Sequence, residues 1–290
     1  MAVKIGHASI DERGKISGGK AGDQTGKEVC TRDFYMHAKG WNVLRPKDKT
    51  VAEKIAKCME DACANPHIGY DQYERLDLYD TVRALNFMCD INTLKTYVEC
   101  DCSSLVRVCL AYAGIRVGNF TTANEKDVIM ATGMFDLVEC ASNGVNLKRG
   151  DILCSRSKGH TCVVLTNGKI AEDGEWGVDT TIATQFVFGT VADGIISSQP
   201  ISCKKYVPNA MTTSWKFVLL SKGSALMKAI QQHLKDLGFY TGAIDGKFGQ
   251  KSVVALQELL ASLGLYKGKI DGYMGGQTVS AWQKYINSRL

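Results

Sequence analysis

A 26-residue repeat in the last quarter of the chain is the feature that most constrains its fold. Residues 238–257 and 264–283 align without gaps, and each copy carries the pattern Gly-x-Tyr-x-Gly-x-Ile-Asp-Gly-x-x-Gly. The Asp-Gly pair favours a turn, and the apolar residues after it have the spacing of one helix face. Another helical pattern covers 225–237. The repeat therefore predicts a small three-helix domain over 225–290, joined to the preceding chain by a linker at 221–224.

The region before this linker places helical patterns first and strand patterns later. Apolar residues have helical spacing at 51–65, 76–85 and 102–113. Short apolar runs typical of strands follow at 151–154, 161–165, 186–191 and 215–220. The dipeptide Asn167-Gly168 is preferred in two-residue hairpin turns and predicts a strand that returns beside 161–165. This order predicts an α+β domain over 1–220, with helices packed on an antiparallel sheet.

Composition and charge exclude several classes of function. A net charge of +5 is too small to indicate nucleic-acid binding, and no apolar run is long enough to predict membrane insertion. Lys and Arg outnumber Asp and Glu by eight to four over 224–290, which suits a polyanionic partner. The eleven cysteines, in a chain whose start does not resemble a secretory signal, are expected to be reduced thiols. Cys100-x-Cys102 lacks a second pair at zinc-binding spacing, so we predict no metal and no cofactor; the oligomeric state stays open.

A cysteine at a predicted helix start is the first candidate for chemistry. Asp101 is a good N-cap residue, and Cys102 follows it in the first helical turn. The positive end of the helix dipole is expected to lower the pKa of a thiol at this position, as a cysteine nucleophile requires. A buried helical cysteine with no chemical role is the alternative.

A histidine and three acids form the second part of the pattern. His160 stands at the start of a predicted strand, 58 residues after Cys102, where it is the candidate base. An acid near it would hold the imidazole in the correct orientation. Regular pairing beyond the Asn-Gly turn places Glu175 opposite His160, while Glu172 and Asp173 are the other choices. His7, in a similar Gly-His context, is either a second base or, as the pattern favours, a structural or cleft-lining residue.

Three blocks in this order resemble the NlpC-type and CHAP-type papain-fold cell-wall hydrolases. The blocks are 101–106, 148–153 and 159–165. The resemblance implies a papain-like fold with Cys102 as nucleophile and His160 as base. It also implies that Glu172, 12 residues after His160, is the third member of a Cys-His-Glu triad.

Two terminal segments add to this resemblance. Residues 6–12 and 22–29 are similar to the start of phage-encoded wall lysins, and the C-terminal repeat resembles the type 1 peptidoglycan-binding domain. Asp23 and Gln24, in a Gly-rich loop, either line the substrate cleft or only form a turn. Tyr240 and Tyr266, the tyrosines of the repeat, either stack on sugars or pack in the core. The residues assigned to substrate binding are Asp23, Gln24, Asp101, Ser103, Tyr240 and Tyr266.

The resemblances together imply an endolysin, a peptidoglycan hydrolase that cuts a peptide bond of the stem peptide or cross-bridge. Its partner would be bacterial peptidoglycan. It would be made in the host cytoplasm without a signal peptide and act once the membrane is permeabilised. An N-acetylmuramoyl-L-alanine amidase that uses the same residues is the nearest alternative, and a non-enzymatic wall-binding protein is another.

Overall fold

The computed structural model describes residues 3–9 and 28–290, which group into two compact units. The first unit runs from Ala2 to Gly168 and the second comprises Lys169–Leu290. The sequence instead predicts a boundary at 221–224. Each unit has helices and strands, and the first contains an antiparallel sheet, so the molecule belongs to the α+β class.

The first unit contains eight strands and four helices in its described residues. The strands are β1 (Lys4–Ala8), β2 (Val29–Asp33), β3 (Trp41–Pro46), β4 (Ile68–Tyr70), β5 (Val98–Cys100), β6 (Phe135–Val138), β7 (Ile152–Ser155) and β8 (Thr161–Val164). The helices are α1 (Lys49–Ala64), α2 (Asp77–Ala84), α3 (Cys102–Tyr112) and α4 (Glu125–Met130). The helices predicted at 51–65, 76–85 and 102–113 are thus confirmed, as are the strands at 151–154 and 161–165.

Six of these described strands form one antiparallel sheet in the order β2-β1-β8-β7-β3-β6. Alternate side chains of β8 enter different cores. Val163 belongs to the core to which α1 contributes Met59 and α3 contributes Leu105. Cys162 belongs to a second core, which contains Trp41. Val163, Met59 and Leu105 are all fully buried, so their packing fixes the start of α3 against β8.

The Asn167-Gly168 hairpin predicted after β8 is wrong. The neighbours of β8 are β7 and β1, and β1 occupies the edge that a returning strand would need. Asn167 instead accepts a hydrogen bond from the Arg149 backbone N–H at 2.8 Å, and the Gly168 N–H donates to Leu147 O at 2.7 Å. The dipeptide therefore leads the chain out of the sheet.

The second unit contains the repeat and more. Its elements are α5 (Val178–Val187), β9 (Ile196–Pro200), β10 (Trp215–Val218), α6 (Ala225–Asp236), α7 (Gln250–Ser262) and α8 (Gly276–Asn287). Helices α6, α7 and α8 lie where the repeat predicts three helices. The strand predicted at 186–191 is wrong, because α5 runs into it. The strand at 215–220 exists as β10, but it pairs in parallel with β9 and not with the large sheet.

Buried glutamines connect the helices of this unit to Asp-Gly turns. The Gln257 side chain donates to Asp271 Oδ1 at 3.1 Å and accepts from the Gly272 N–H at 2.9 Å. Gln231 holds Asp245-Gly246 in the same way. The repeat explains these two contacts, because glutamine and turn recur at its spacing.

The same contact occurs with two turns that the repeat does not cover. Gln283 of α8 donates to Asp173 Oδ1 at 2.8 Å and accepts from the Gly174 N–H at 3.0 Å. Gln185 of α5 donates to Asp193 Oδ1 and accepts from the Gly194 N–H, both at 2.8 Å. Because α8 holds the turn that precedes α5, these side chains link the segment from Lys169 onward to the repeat helices. This linkage explains why the unit begins near residue 169.

Candidate active site

The start of α3 is held by a reciprocal cap. Asp101 Oδ1 accepts from the Ser104 N–H at 2.6 Å, and Ser104 Oγ accepts from the Asp101 N–H at 2.8 Å. Arg75 Nε donates to Asp101 Oδ2 at 2.5 Å, and Ser103 Oγ donates to Asp101 Oδ1 at 2.9 Å. Asp101 and Ser103 are both buried and occupied in this network, which fixes Cys102 in the first turn. Their predicted contact with substrate stays a prediction.

The Cys102 sulfur lies against β8. The backbone N–H groups of Thr161, the first residue of that strand, and of Ser103 lie near the sulfur and act to lower the pKa of the Cys102 thiol. His160 directly precedes Thr161, so the predicted base is the chain neighbour of a residue that faces the predicted nucleophile. The packing of α3 on β8 produces this arrangement.

A second histidine contacts His160. His7 lies on β1, the antiparallel neighbour of β8, and its Nδ1 is 2.8 Å from His160 Nε2. The two rings meet edge to face with centroids 5.0 Å apart. On its other side, His7 Nε2 is 3.7 Å from the sulfur of Cys30, its partner in the β1–β2 ladder. His160 Nε2 is therefore occupied by His7, and Nδ1 is the other ring nitrogen of His160.

Burial determines the protonation states of the resting site. It raises the pKa of the Cys102 thiol to about 12, with additional contributions from the negative charges of Asp101 and Glu125. It lowers the pKa of His160 to about 3, with help from His7, and the pKa of His7 to about 4. The resting pair is therefore a thiol and a neutral imidazole. The expected lowering of the thiol pKa is wrong for this state, because burial outweighs the N–H groups at the helix start.

The three acids proposed to orient His160 all belong to the second unit. The carboxylate of Glu172 accepts from Asn287 Nδ2 at 3.1 Å. Asp173 accepts from Gln283 and from the Glu175 N–H, as part of the Asp-Gly turn before α5. The group that lies within hydrogen-bond distance of His160 Nε2 is His7 Nδ1, at 2.8 Å.

The remaining substrate-binding predictions have different outcomes. Tyr240 and Tyr266 are buried, and the hydroxyl of each donates to a carbonyl of its own turn and accepts from a buried glutamine. These contacts favour the core-packing alternative, although Tyr266 also borders a cleft of about 460 Å³ together with Lys267 and Lys284. Asp23 and Gln24 lie outside the described residues.

The contact of His7 with His160 could not be predicted from the sequence alone. His7 lies 153 residues from His160, and only the pairing of β1 with β8 brings them together. The Gly6-His7 dipeptide, which repeats Gly159-His160, was the one available signal. Gly6 permits close packing, because a Cβ there would lie 2.5 Å from Met59 Cγ.

Within residues 3–9 and 28–290, no group of three His, Cys, Asp or Glu side chains could hold a metal ion. No helix in the same part of the chain has the length and apolarity required to cross a bilayer.

Comparison with known proteins gives one match. A family model described as an endolysin-like domain matches residues 5–171, which is more than half of the chain. The matched region includes His7, Cys102 and His160 and ends one residue before Glu172. No curated protein and no solved structure shows a significant match.

Proposed function

The chain belongs to the endolysin-like domain family, and from this premise we propose that it is a cysteine peptidase that cuts a peptide bond of bacterial peptidoglycan. The observation that carries the proposal is the position of the Cys102 thiol at the start of α3, against the strand that begins beside His160. Nucleophile, base and orienting group are the parts that acyl transfer requires. A papain-like arrangement of helix and sheet is part of the same proposal.

Proton transfer precedes bond cleavage in the proposed mechanism. His160 Nδ1 takes the proton of Cys102 Sγ as the sulfur attacks the carbonyl carbon of the substrate. The attraction between thiolate and imidazolium offsets the cost of forming both charges in a buried site. Backbone N–H groups at the start of α3 stabilise the oxyanion.

The remaining steps release both products. His160 gives its proton to the leaving amine, and the acyl group remains on Cys102 as a thioester. A water molecule, deprotonated by His160, then attacks the thioester carbonyl. The carboxylic acid product leaves and the proton returns to the Cys102 sulfur, which restores the resting thiol and imidazole.

His7 replaces Glu172 as the proposed orienting residue. For His160 Nδ1 to accept the thiol proton, the His160 Nε2 must carry a hydrogen, which donates to His7 Nδ1 across the 2.8 Å contact. His7 then carries its own hydrogen on Nε2, where the Cys30 sulfur is the acceptor. This chain of contacts gives each ring one tautomer.

The second unit is proposed to bind the cell wall. Its support is the C-terminal repeat with its excess of Lys and Arg, eight against four acids over 224–290. A basic surface is attracted to anionic wall polymers, and added salt weakens that attraction.

The test uses purified walls and mass spectrometry of the fragments released. Wild-type protein should release fragments with a new amino terminus inside the stem peptide or cross-bridge, and Cys102→Ala should release none. Cys100→Ala, two residues away and also buried, is the matched control and should retain lysis. Release of free lactyl groups and intact stem peptides would instead identify an amidase. Lysis by Cys102→Ala would overturn the assignment of the nucleophile.

A further inference from the structure

A buried glutamate that the proposed mechanism does not use lies behind the nucleophile. Glu125 is the first residue of α4, and its side chain is completely buried. Thr161 Oγ1 donates to its Oε1 at 2.7 Å. Its Oε2 has no hydrogen-bond partner among the described residues, and no Lys, Arg or His in that part of the chain forms an ion pair with it.

Such a carboxyl group is stable in the core only as the neutral acid. A lone carboxylate removed from water is far more costly than a carboxylic acid. Burial accordingly raises the pKa of Glu125 to about 8, although the contacts with Thr161 and Cys154 oppose the shift. At neutral pH the group is mostly protonated.

Thr161 connects this acid to the nucleophile. Its side chain donates to Glu125, while its backbone N–H lies near the Cys102 sulfur and acts to lower the pKa of that thiol. Thr161 is itself fully buried, so the Glu125 carboxyl fixes the side chain of the residue whose N–H faces the thiol. A negative charge on Glu125 would oppose a negative charge on Cys102.

We propose that Glu125 is a positioning residue, which as a neutral acid holds Thr161 with its backbone N–H toward Cys102, and which on ionising suppresses the Cys102 thiolate. The inference rests on the proposed role of Cys102 as nucleophile. A neutral acid at this site supports the thiolate, whereas a carboxylate destabilises it, so the two forms have opposite effects.

Charged and titratable groups on the neighbouring elements also lie around Glu125. Asp101 at the cap of α3 is paired with Arg75. Cys154 of β7 and Cys162 of β8 have thiol pKa values raised far above 9, mainly by burial. On α4 itself, Lys126 and Asp127 are exposed and paired with each other.

The experiment measures the alkylation rate of Cys102 in the full chain between pH 6.5 and 9, with iodoacetamide as the probe and peptide-resolved mass spectrometry as the readout. Glu125→Gln is the decisive variant, because its amide oxygen can still accept from Thr161 but cannot ionise. Asp127→Asn is the matched control, since it removes one acid from an exposed position on the same helix. Glu125→Ala removes the acceptor altogether.

We expect Glu125→Gln to react at the wild-type rate at pH 6.5 and about threefold faster at pH 9, as a shift of about half a pKa unit would give. Asp127→Asn should follow wild type throughout. Glu125→Ala should react about tenfold more slowly at both pH values, because Thr161 loses its partner. Identical pH profiles for wild type and Glu125→Gln would overturn the inference. Alkylation requires no wall substrate, so this result is distinguishable from a failure of Cys102→Ala to abolish lysis, which would overturn the proposed function.

Discussion

At the scale of single residues, the proposed role of His160 depends on which of its two ring nitrogens is free. Its Nε2 lies 2.8 Å from His7 Nδ1, so Nδ1 is the nitrogen that the proposal assigns to the Cys102 thiol. An imidazole acts as a base through an unprotonated nitrogen, and a fixed acceptor on the other nitrogen keeps it in that tautomer. The Cys30 sulfur, 3.7 Å from His7 Nε2, would hold the His7 ring in one tautomer in the same way.

The role of His7 is tested by substitution. His7→Ala removes the acceptor at His160 Nε2 and should lower kcat for wall cleavage by about 10- to 100-fold, the value of a lost hydrogen bond to a group that becomes charged. His7→Asn offers a carbonyl oxygen and should lose less. Glu172→Ala should remain within about twofold of wild type, because Glu172 contacts Asn287. Steady-state turbidity kinetics are the measurement, and a damaging Glu172→Ala with a neutral His7→Ala would restore Glu172 to the triad.

The same histidines should make stability depend on pH. The pKa values of His7 and His160 fall from 6.5 to about 4 and about 3 on folding, chiefly through burial. Both groups therefore contribute stability above pH 6.5, and this stability is lost as the pH falls toward 4 and 3, because the unfolded chain binds protons that the folded chain excludes.

Each such histidine contributes a slope of about 1.4 kcal/mol per pH unit within its window. The free energy of unfolding of the first unit should thus decrease between pH 6 and 4.5, and His7→Asn should have about half the wild-type slope. Urea titrations at several pH values, monitored by far-ultraviolet circular dichroism, give both slopes. Equal slopes for wild type and variant would contradict the prediction.

The local part of the site was predictable from sequence, and the long-range part was not. Asp101, Cys102 and His160 stand at the ends of elements whose patterns are local, and Thr161, the residue after His160, lies against Cys102. His7 requires knowledge that β1 pairs with β8, and both strands are short apolar runs that would pair equally well elsewhere. Burial likewise reverses the expected thiol pKa, because it depends on the whole fold and not on the helix start.

At the scale of elements, the second unit is organised by contacts between a helix and the turn that precedes another helix. The sequence revealed two such turns, because they share the Gly-x-Tyr-x-Gly pattern. Asp173-Gly174 lacks that pattern, although Thr180, Ala183 and Gln185 after it match Thr278, Ala281 and Gln283 of α8. The divergence of its first half concealed this turn in the sequence.

The glutamine contacts predict a large effect for a single buried amide. Gln257 donates to Asp271 and accepts from the N–H of Gly272, and its exposure is zero. Gln257→Ala leaves these groups buried without partners and should lower the free energy of unfolding by about 2–4 kcal/mol. Gln232→Ala, an exposed glutamine of α6, is the control and should change it by less than about 0.5 kcal/mol. Urea unfolding monitored by tryptophan fluorescence distinguishes the two, and a neutral Gln257→Ala would show that the contacts do not stabilise the unit.

At the scale of the whole molecule, the α+β class and the principal helices of the first unit followed from hydrophobic spacing. The order of the strands in the sheet did not follow from this spacing. Strand β1 lies between β2 and β8, and hydrophobic spacing within a strand does not tell which other strands it will pair with. The division of the chain was predicted from the end of an apolar run, Trp215 to Leu220. In the structure Trp215 packs edge to face against Trp176 within the second unit, so that run lies inside a unit and does not end one.

This division predicts how fragments of the chain behave. A fragment of residues 225–290 lacks Trp176, which stacks on Trp282 with ring centroids 5.8 Å apart, and lacks the Asp173-Gly174 turn that Gln283 holds. Exposing a tryptophan of this size and a buried amide should cost several kcal/mol, about the whole stability of so small a domain.

A fragment of residues 169–290 retains both partners and should unfold cooperatively on heating. It should also sediment with purified bacterial walls at low salt and be released at high salt, as expected for a basic module on an anionic polymer. The shorter fragment should show weak near-ultraviolet circular dichroism and a broad or absent thermal transition, because Trp282 loses its fixed environment. Matched melting temperatures and equal wall binding for the two fragments would instead restore the boundary at 221–224, with 169–220 contributing nothing to the fold of the repeat.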